Sequence, residues 1–389
     1  MERIAFIYGE TFVYWSSIVL TLAAACAICT FVALYLPKSQ NVRACAEVIP
    51  FSIVLSLLLA RLIHWYCRTD SYSSFLSAMT SFSNGGFALM GVFAGCLIVA
   101  CFLRLMDTSE NLPEMLDCMC IAGGAGIAIG RLSSLFNTSG RGQIVENIKS
   151  LPWVYPVTNA VSGDAEYRLA TFMLQAIVVA VIFVAVLVFW LRGQKKGDLK
   201  DGDAALIFLL CYGASQVVLD STRYDSLFFR SNGFVSIVQV LGAVCIGIPT
   251  ILFSIRLVKQ RGWKFWYLGL WLGWAALMGL GGYMEYHVQR HGDQAVFAYS
   301  VMSTCLIGLV ALGCTIRYLA EKAPAKQPVS VAAAEEMQEM PEMPEMPAEE
   351  PLLQVEETEK AETVALEEET PEEELDLEHF LEELGLEDM

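Results

Sequence analysis

Charge is scarce along most of this chain. Only 17% of its 389 residues are charged while 55% are hydrophobic, and the mean hydropathy is positive, which excludes a soluble globular plan. Zinc-type pairs of CxxC motifs in polar loops are absent: the 12 cysteines lie within or beside apolar segments, where they read as small packing residues. The start of the chain lacks the basic character of a cleavable leader, since Glu2 and Glu10 accompany the lone base Arg3, so the first apolar run is expected to remain as a span. No internal repeat relates the two halves, which argues against a transporter. Nothing points to nucleic acid, a metal or a cofactor as a partner.

What is present is a series of long apolar runs. Segments of roughly 18 to 25 residues, enough to cross about 30 Å of hydrocarbon, begin near Phe12, Ala46, Gly85, Glu114, Leu169, Ala204, Gly233, Phe265 and Phe297. The expected fold is an all-α polytopic membrane bundle of about nine helices. Lys38, Arg43, Arg104, "RGQKKGDLK", "RLVKQRGWK", Arg317, Lys322 and Lys326 fall in alternate connections, which predicts those connections, and the C-terminus, on the cytoplasmic side and the N-terminus outside. The net charge of −17 arises mainly after about residue 330. Residues 323–389 are acidic and of low complexity, expected to be disordered and cytoplasmic. Leu377, Phe380, Leu381 and Leu384 at their end have the spacing of a short amphipathic docking helix, with no partner specified.

Ionisable groups inside spans are costly and point to function. They are Arg61, Asp117, Arg131, Asp220 and Arg223. Asp117 reads as a helix cap or the partner of a loop base. Arg61, Arg131, Asp220 and Arg223 fall near the outer ends of their helices, where three guanidinium groups suit a phosphate headgroup. Glycines in "NGGFALMGVFAG" and "IAGGAGIAIGR" read first as small residues that let helix backbones approach.

These segments resemble the prolipoprotein diacylglyceryl transferase family. "GRLSSLFNTSGRG" keeps Gly130, Arg131, Asn137 and Gly142 of that family's signature; "GGFALMGVFAG" keeps Gly85, Gly86, Gly91 and Gly95; "YGASQVVLDSTR" keeps Tyr212, Gly213 and Arg223, with Asp220 in place of Glu; and Gln239 matches a later Gln. Arg61 meets a family arginine on the second helix. The likeness covers about residues 11–260 as a seven-helix domain, leaving two additional helices over 261–322 and the acidic tail outside it. Family residues are replaced by Met90 (for His), Ser134 (for Asn), Ser139 (for Glu) and Gln216 (for Arg).

The resemblance implies transfer of a diacylglyceryl group from phosphatidylglycerol to the lipobox cysteine of a prolipoprotein signal peptide, in a bacterial plasma membrane. Arg131 and Arg223 are the expected phosphate clamp, with Arg61, Asn137, Gly142, Asp220, Tyr212 and Gln239 as lipid-binding support. With Met90 unable to accept a proton, His64, three residues after Arg61, is the candidate base. The alternative is a catalytically silent relative that binds anionic lipid or a lipoprotein signal segment.

Overall fold

The structure is a computed structural model and describes residues 4–9, 11–80, 86–106, 111–145, 154–158, 165–229, 232–291 and 294–322. Gly85, and the tail with its expected terminal helix, lie outside the described residues. Among those described, nine helices of 18 residues or more follow one another: α1 (Trp15–Ser39), α2 (Val42–Cys67), α4 (Leu89–Met106), α5 (Leu112–Arg131), α6 (Thr171–Lys196), α7 (Asp203–Ser221), α8 (Ile237–Arg261), α9 (Trp266–His291) and α10 (Ala295–Glu321), with a short α3 (Phe75–Thr80) between α2 and α4. Eight of the nine are long and apolar enough to span a membrane. The 26-residue α9 has the length, but its tryptophans, tyrosines and glycines lower its hydropathy. The chain is a multi-pass membrane bundle.

Local chemistry fixes the helix ends. Asn41 caps α2 by accepting from the Ala44 N–H at 3.1 Å. Ser236 and Gln239 form a reciprocal capping box at the start of α8. Lysines and arginines close α6 and α8, where they meet the negative helix terminus. Three antiparallel hairpins, not foreseen from the helical pattern, accompany the helices: β1 (Ile4–Tyr8) with β2 (Thr11–Tyr14) before α1, and, in connections between helices, β3 (Val154–Thr158) with β4 (Ala165–Leu169) and β5 (Phe228–Phe229) with β6 (Asn232–Ser236). They pair backbone groups that a bare loop at the bundle's end would leave unsatisfied.

The main core joins α1, α5 and α7 through Tyr35, Met115, Ile121, Phe208 and Tyr212, and α2 and α4 enter it through Val48 and Val99. The close approach of α4 to α2 depends on glycine: a Cβ at Gly91 would come within 2.2 Å of the Ala60 nitrogen, closer than any side chain permits. A second core seats α10 on α7 and α8 through Leu210, Ile246, Met302 and Leu309. Leu57, Val181, Ile251 and Ile307 face outward, as the lipid-facing surface of a bundle requires.

Candidate functional site

The site is built on the strand-like segment that follows α5. Beyond Arg131 the chain makes a tight turn through Leu132–Leu135. Asn137 then folds the backbone over, its Oδ1 accepting from the Ser139 N–H at 2.9 Å and from the Ser139 hydroxyl at 2.6 Å. The Asn137 carbonyl accepts from Arg141 at 2.7 Å. From Gly140 onward the segment is pinned on both sides. On one side the Gln143 N–H donates to the Thr222 carbonyl at 3.1 Å, and the Tyr224 N–H donates to the Arg141 carbonyl at 2.9 Å. On the other, the Gly142 N–H donates to the Leu169 carbonyl at 2.8 Å, and the Val145 N–H to the Tyr167 carbonyl at 2.8 Å. Gly142 is therefore enclosed: a Cβ there would meet Thr171 Oγ1 at 2.6 Å and Leu169 Cβ at 2.8 Å. Only glycine lets these three segments meet.

That pinning brings the ends of α5 and α7 together. Arg131 lies within electrostatic reach of Tyr212, Asp220 and Arg223. Tyr212 is held by ring contacts with Phe208 (5.6 Å) and Phe93 (5.4 Å). Asp220 is buried, accepts from the Ser236 hydroxyl, and faces Arg223 at 3.5 Å. Asp225, which the motif comparison passed over, binds both the Arg223 guanidinium (2.9 Å) and the Gly140 N–H (2.9 Å). Its only signal in the sequence is its place two residues after Arg223.

Several buried polar atoms here have no protein partner. Arg131 Nε, the Tyr212 hydroxyl, Gln175 Oε1, the Ser221 hydroxyl and Gln239 Nε2 are among them. The Gln239 case is informative, because its Oε1 is committed to the Ser236 N–H at 3.0 Å, leaving the amide nitrogen free. Buried polar atoms in native proteins are nearly always paired, so a concentration of unpaired ones beside two arginines marks a place for an oxygen-rich ligand. A small cavity of about 80 Å³ opens on the Arg223 side of this group, lined by Asp220, Arg223, Tyr224, Ser236, Gln239 and Gln289 among others; Arg131 and Tyr212 are not among its lining residues.

Arg61 and His64 form a second cluster. Arg61 is 1% exposed; it donates to the Ala78 carbonyl and, at 2.9 Å, to the Gly86 carbonyl, with the rings of Tyr72 and Phe87 about its guanidinium. It straps the connection between α2 and α4. The Tyr72 hydroxyl and His64 Nδ1 share a hydrogen bond of 2.8 Å. Gly86, at φ +83°, closes this cluster, since a Cβ would meet Tyr72, Arg61 and His64 within 2.8 Å. Met90 is buried in the apolar core. Gln216 is buried too, and its Oε1 accepts from Gln175 at 3.2 Å. Met90 and Gln216, the residues expected in place of a family His and Arg, are thus an apolar core side chain and a neutral amide.

Comparison with known proteins agrees with this arrangement. The family described as prolipoprotein diacylglyceryl transferase matches residues 3–255. A phosphatidylglycerol–prolipoprotein diacylglyceryl transferase of Lactococcus lactis subsp. lactis is 27% identical over 266 residues, covering 67% of this chain and 97% of the relative. The protein of the same name from Streptococcus equi subsp. zooepidemicus is 26% identical over 278 residues, covering 68% and 99% respectively. The family match includes the α5 end, the pinned glycine segment and the α7 end, and the chain belongs to the prolipoprotein diacylglyceryl transferase family.

Proposed function

We propose that this protein transfers the diacylglyceryl group of phosphatidylglycerol to the lipobox cysteine of a prolipoprotein signal peptide, in a bacterial plasma membrane. The observation that carries the reading is the pairing of Arg131 and Arg223 at one end of the bundle, beside donors that no protein group accepts. Residues 11–260 form the transferase unit in this reading, with α9 and α10 added to it. The distribution of Lys and Arg supports an outside N-terminus and a cytoplasmic tail.

The thiol sulfur attacks the glycerol carbon that bears the phosphate. A C–S bond forms, the C–O bond breaks with its electron pair going to the phosphate oxygen, and glycerol phosphate leaves. Arg131 and Arg223 hold the phosphodiester and stabilise the charge that develops on the leaving group. Tyr212 and Gln239 donate to the remaining oxygens, Asp220 orients Arg223, and the Asn137 turn with Gly142 holds the segment that frames the site. The two guanidinium groups also favour the thiolate, since an ordinary cysteine with pKa about 8.5 is mostly neutral at pH 7. His64 is the candidate acceptor of the thiol proton; with Nδ1 engaged by Tyr72, Nε2 is the nitrogen left for that task. Arg61 supports it by fixing the connection on which Tyr72 and Gly86 lie.

Complementation tests the proposal. Expressed in a bacterium depleted of its own diacylglyceryl transferase, the protein is expected to restore lipid labelling of a reporter lipoprotein, and Arg131→Ala is expected to abolish it. Well-expressed, membrane-inserted protein that gives no labelling would refute the transferase and leave the lipid-binding relative.

A further inference from the structure

The family match ends at residue 255, inside α8, so α9 and α10 lie beyond it. They are nevertheless seated firmly on the transferase unit. Besides the apolar contact of α10 with α7 and α8, the Tyr299 hydroxyl donates to the Ser221 carbonyl at 3.3 Å near the site. At the opposite end Arg317 pairs with Asp203 at 3.0 Å.

One residue of the appended pair reaches the cavity itself. Gln289, near the end of α9, lines the same space as Asp220, Arg223 and Gln239. Its Nε2 donates to Glu285 Oε1, one turn earlier on α9, at 3.0 Å. Glu285 is only 6% exposed, and its second oxygen, Oε2, has no partner. Leaving a buried carboxylate oxygen unpaired costs free energy. Asp220 and Asp225, by contrast, are occupied by Arg223, Ser236 and the Gly140 N–H.

We propose that the appended helix pair forms one wall of the headgroup site, with Gln289 as a specificity-determining contact and Glu285 as its positioning residue. With its nitrogen turned to Glu285, Gln289 has Oε1 left as an acceptor for the cavity, and the facing wall supplies the Arg223 charge and the unpaired donor Gln239 Nε2. The group that fits carries anionic phosphate oxygens at one end and hydroxyl hydrogens at the other, a polyol phosphodiester. This rests on the headgroup reading above and adds to it how the polyol end is selected.

The test compares phosphatidylglycerol with phosphatidylmethanol, which has the same charge and phosphodiester but no hydroxyl. Binding of each to the purified full-length protein is measured by lipid exchange, for wild type, Gln289→Leu, the near-isosteric Glu285→Gln and Arg223→Ala. The expected result is about tenfold preference for phosphatidylglycerol in the wild type, the order of one hydrogen bond. Gln289→Leu removes the preference by weakening phosphatidylglycerol alone, and Glu285→Gln reduces it. Wild type without preference, or a preference unchanged in Gln289→Leu and Glu285→Gln, would overturn the inference. Arg223→Ala is expected to weaken both lipids alike; if it changed neither, the headgroup reading itself would fail, whatever the Gln289 result.

Discussion

The two ends of the same helices treat their charged groups in different ways. α5 carries Asp117 in its second turn and finishes at Arg131; α7 begins at Asp203 and finishes at Ser221, one residue past Asp220. At the starting end most carboxylates are consumed by the fold, although Glu114 keeps one buried oxygen unpaired. Asp117 accepts from the Gly202 N–H at 2.9 Å and the Ala205 N–H at 2.7 Å, capping α7 from a neighbouring helix. Asp203 binds both Arg256 and Arg317, and Asp201 binds Lys38 and Asn111. At the finishing end Arg131, Tyr212 and Gln239 keep buried atoms unpaired. Paired charge holds helices together at both ends, and it is the unpaired buried donors of Arg131 and Gln239 at the finishing end that point to an anionic ligand there.

That contrast can be broken by substitution. Arg131→Ala is expected to give the largest effect, a loss of transfer rate of about 10²–10³-fold or more, with little change in thermal stability because Asp220 keeps Arg223 and Ser236 as partners; a transfer assay and thermal unfolding in detergent check both. Asp203→Ala should do the reverse: with Arg256 losing its carboxylate and Arg317 keeping only Glu321, stability falls by about 3 kcal/mol, while transfer per folded molecule is kept. Asp117→Asn weakens the cross-helix cap and is expected to cost about 1–2 kcal/mol, read by the same unfolding experiment.

The smallest effect sharpens the comparison through pH. Partial burial raises the Asp201 pKa, but the hydrogen bonds from Lys38 and Asn111 and the Lys38 charge outweigh it, so the carboxyl lies below its ordinary value. A depressed folded-state pKa gives stability that is present above the unfolded carboxylate pKa and lost as pH falls through the folded one. Unfolding followed from neutral to acid pH should show this loss in the wild type, and Asp201→Asn should flatten it without touching transfer at pH 7.

Much of this was legible in the sequence. All nine long helices begin within four residues of the expected positions, because apolar length is a direct requirement of the bilayer. Arg131, Asp220 and Arg223 stand out because ionisable residues in spans are rare. What the sequence does not reveal is pairing across long separations. Asp203 meets Arg317, 114 residues away, and nothing near Asp203 foretells it. Arg61 resembles the other arginines in sequence, yet backbone carbonyls of Ala78 and Gly86 take its donors. Asn137, expected as a lipid contact from its motif, shapes a turn in the structure through Ser139. Gln289 is one polar residue in the frayed-looking end of α9, and only the docking of α9 and α10 brings it to the cavity.

The most direct test is reconstitution of the purified protein with phosphatidylglycerol and a lipobox peptide, comparing Arg131→Ala with Asp203→Ala and scoring thioether formation per folded molecule. The account predicts transfer by the wild type and by Asp203→Ala, and none above background by a stably folded Arg131→Ala. Equal transfer by Arg131→Ala and the wild type, or transfer lost in both variants at equal folded fraction, would contradict it.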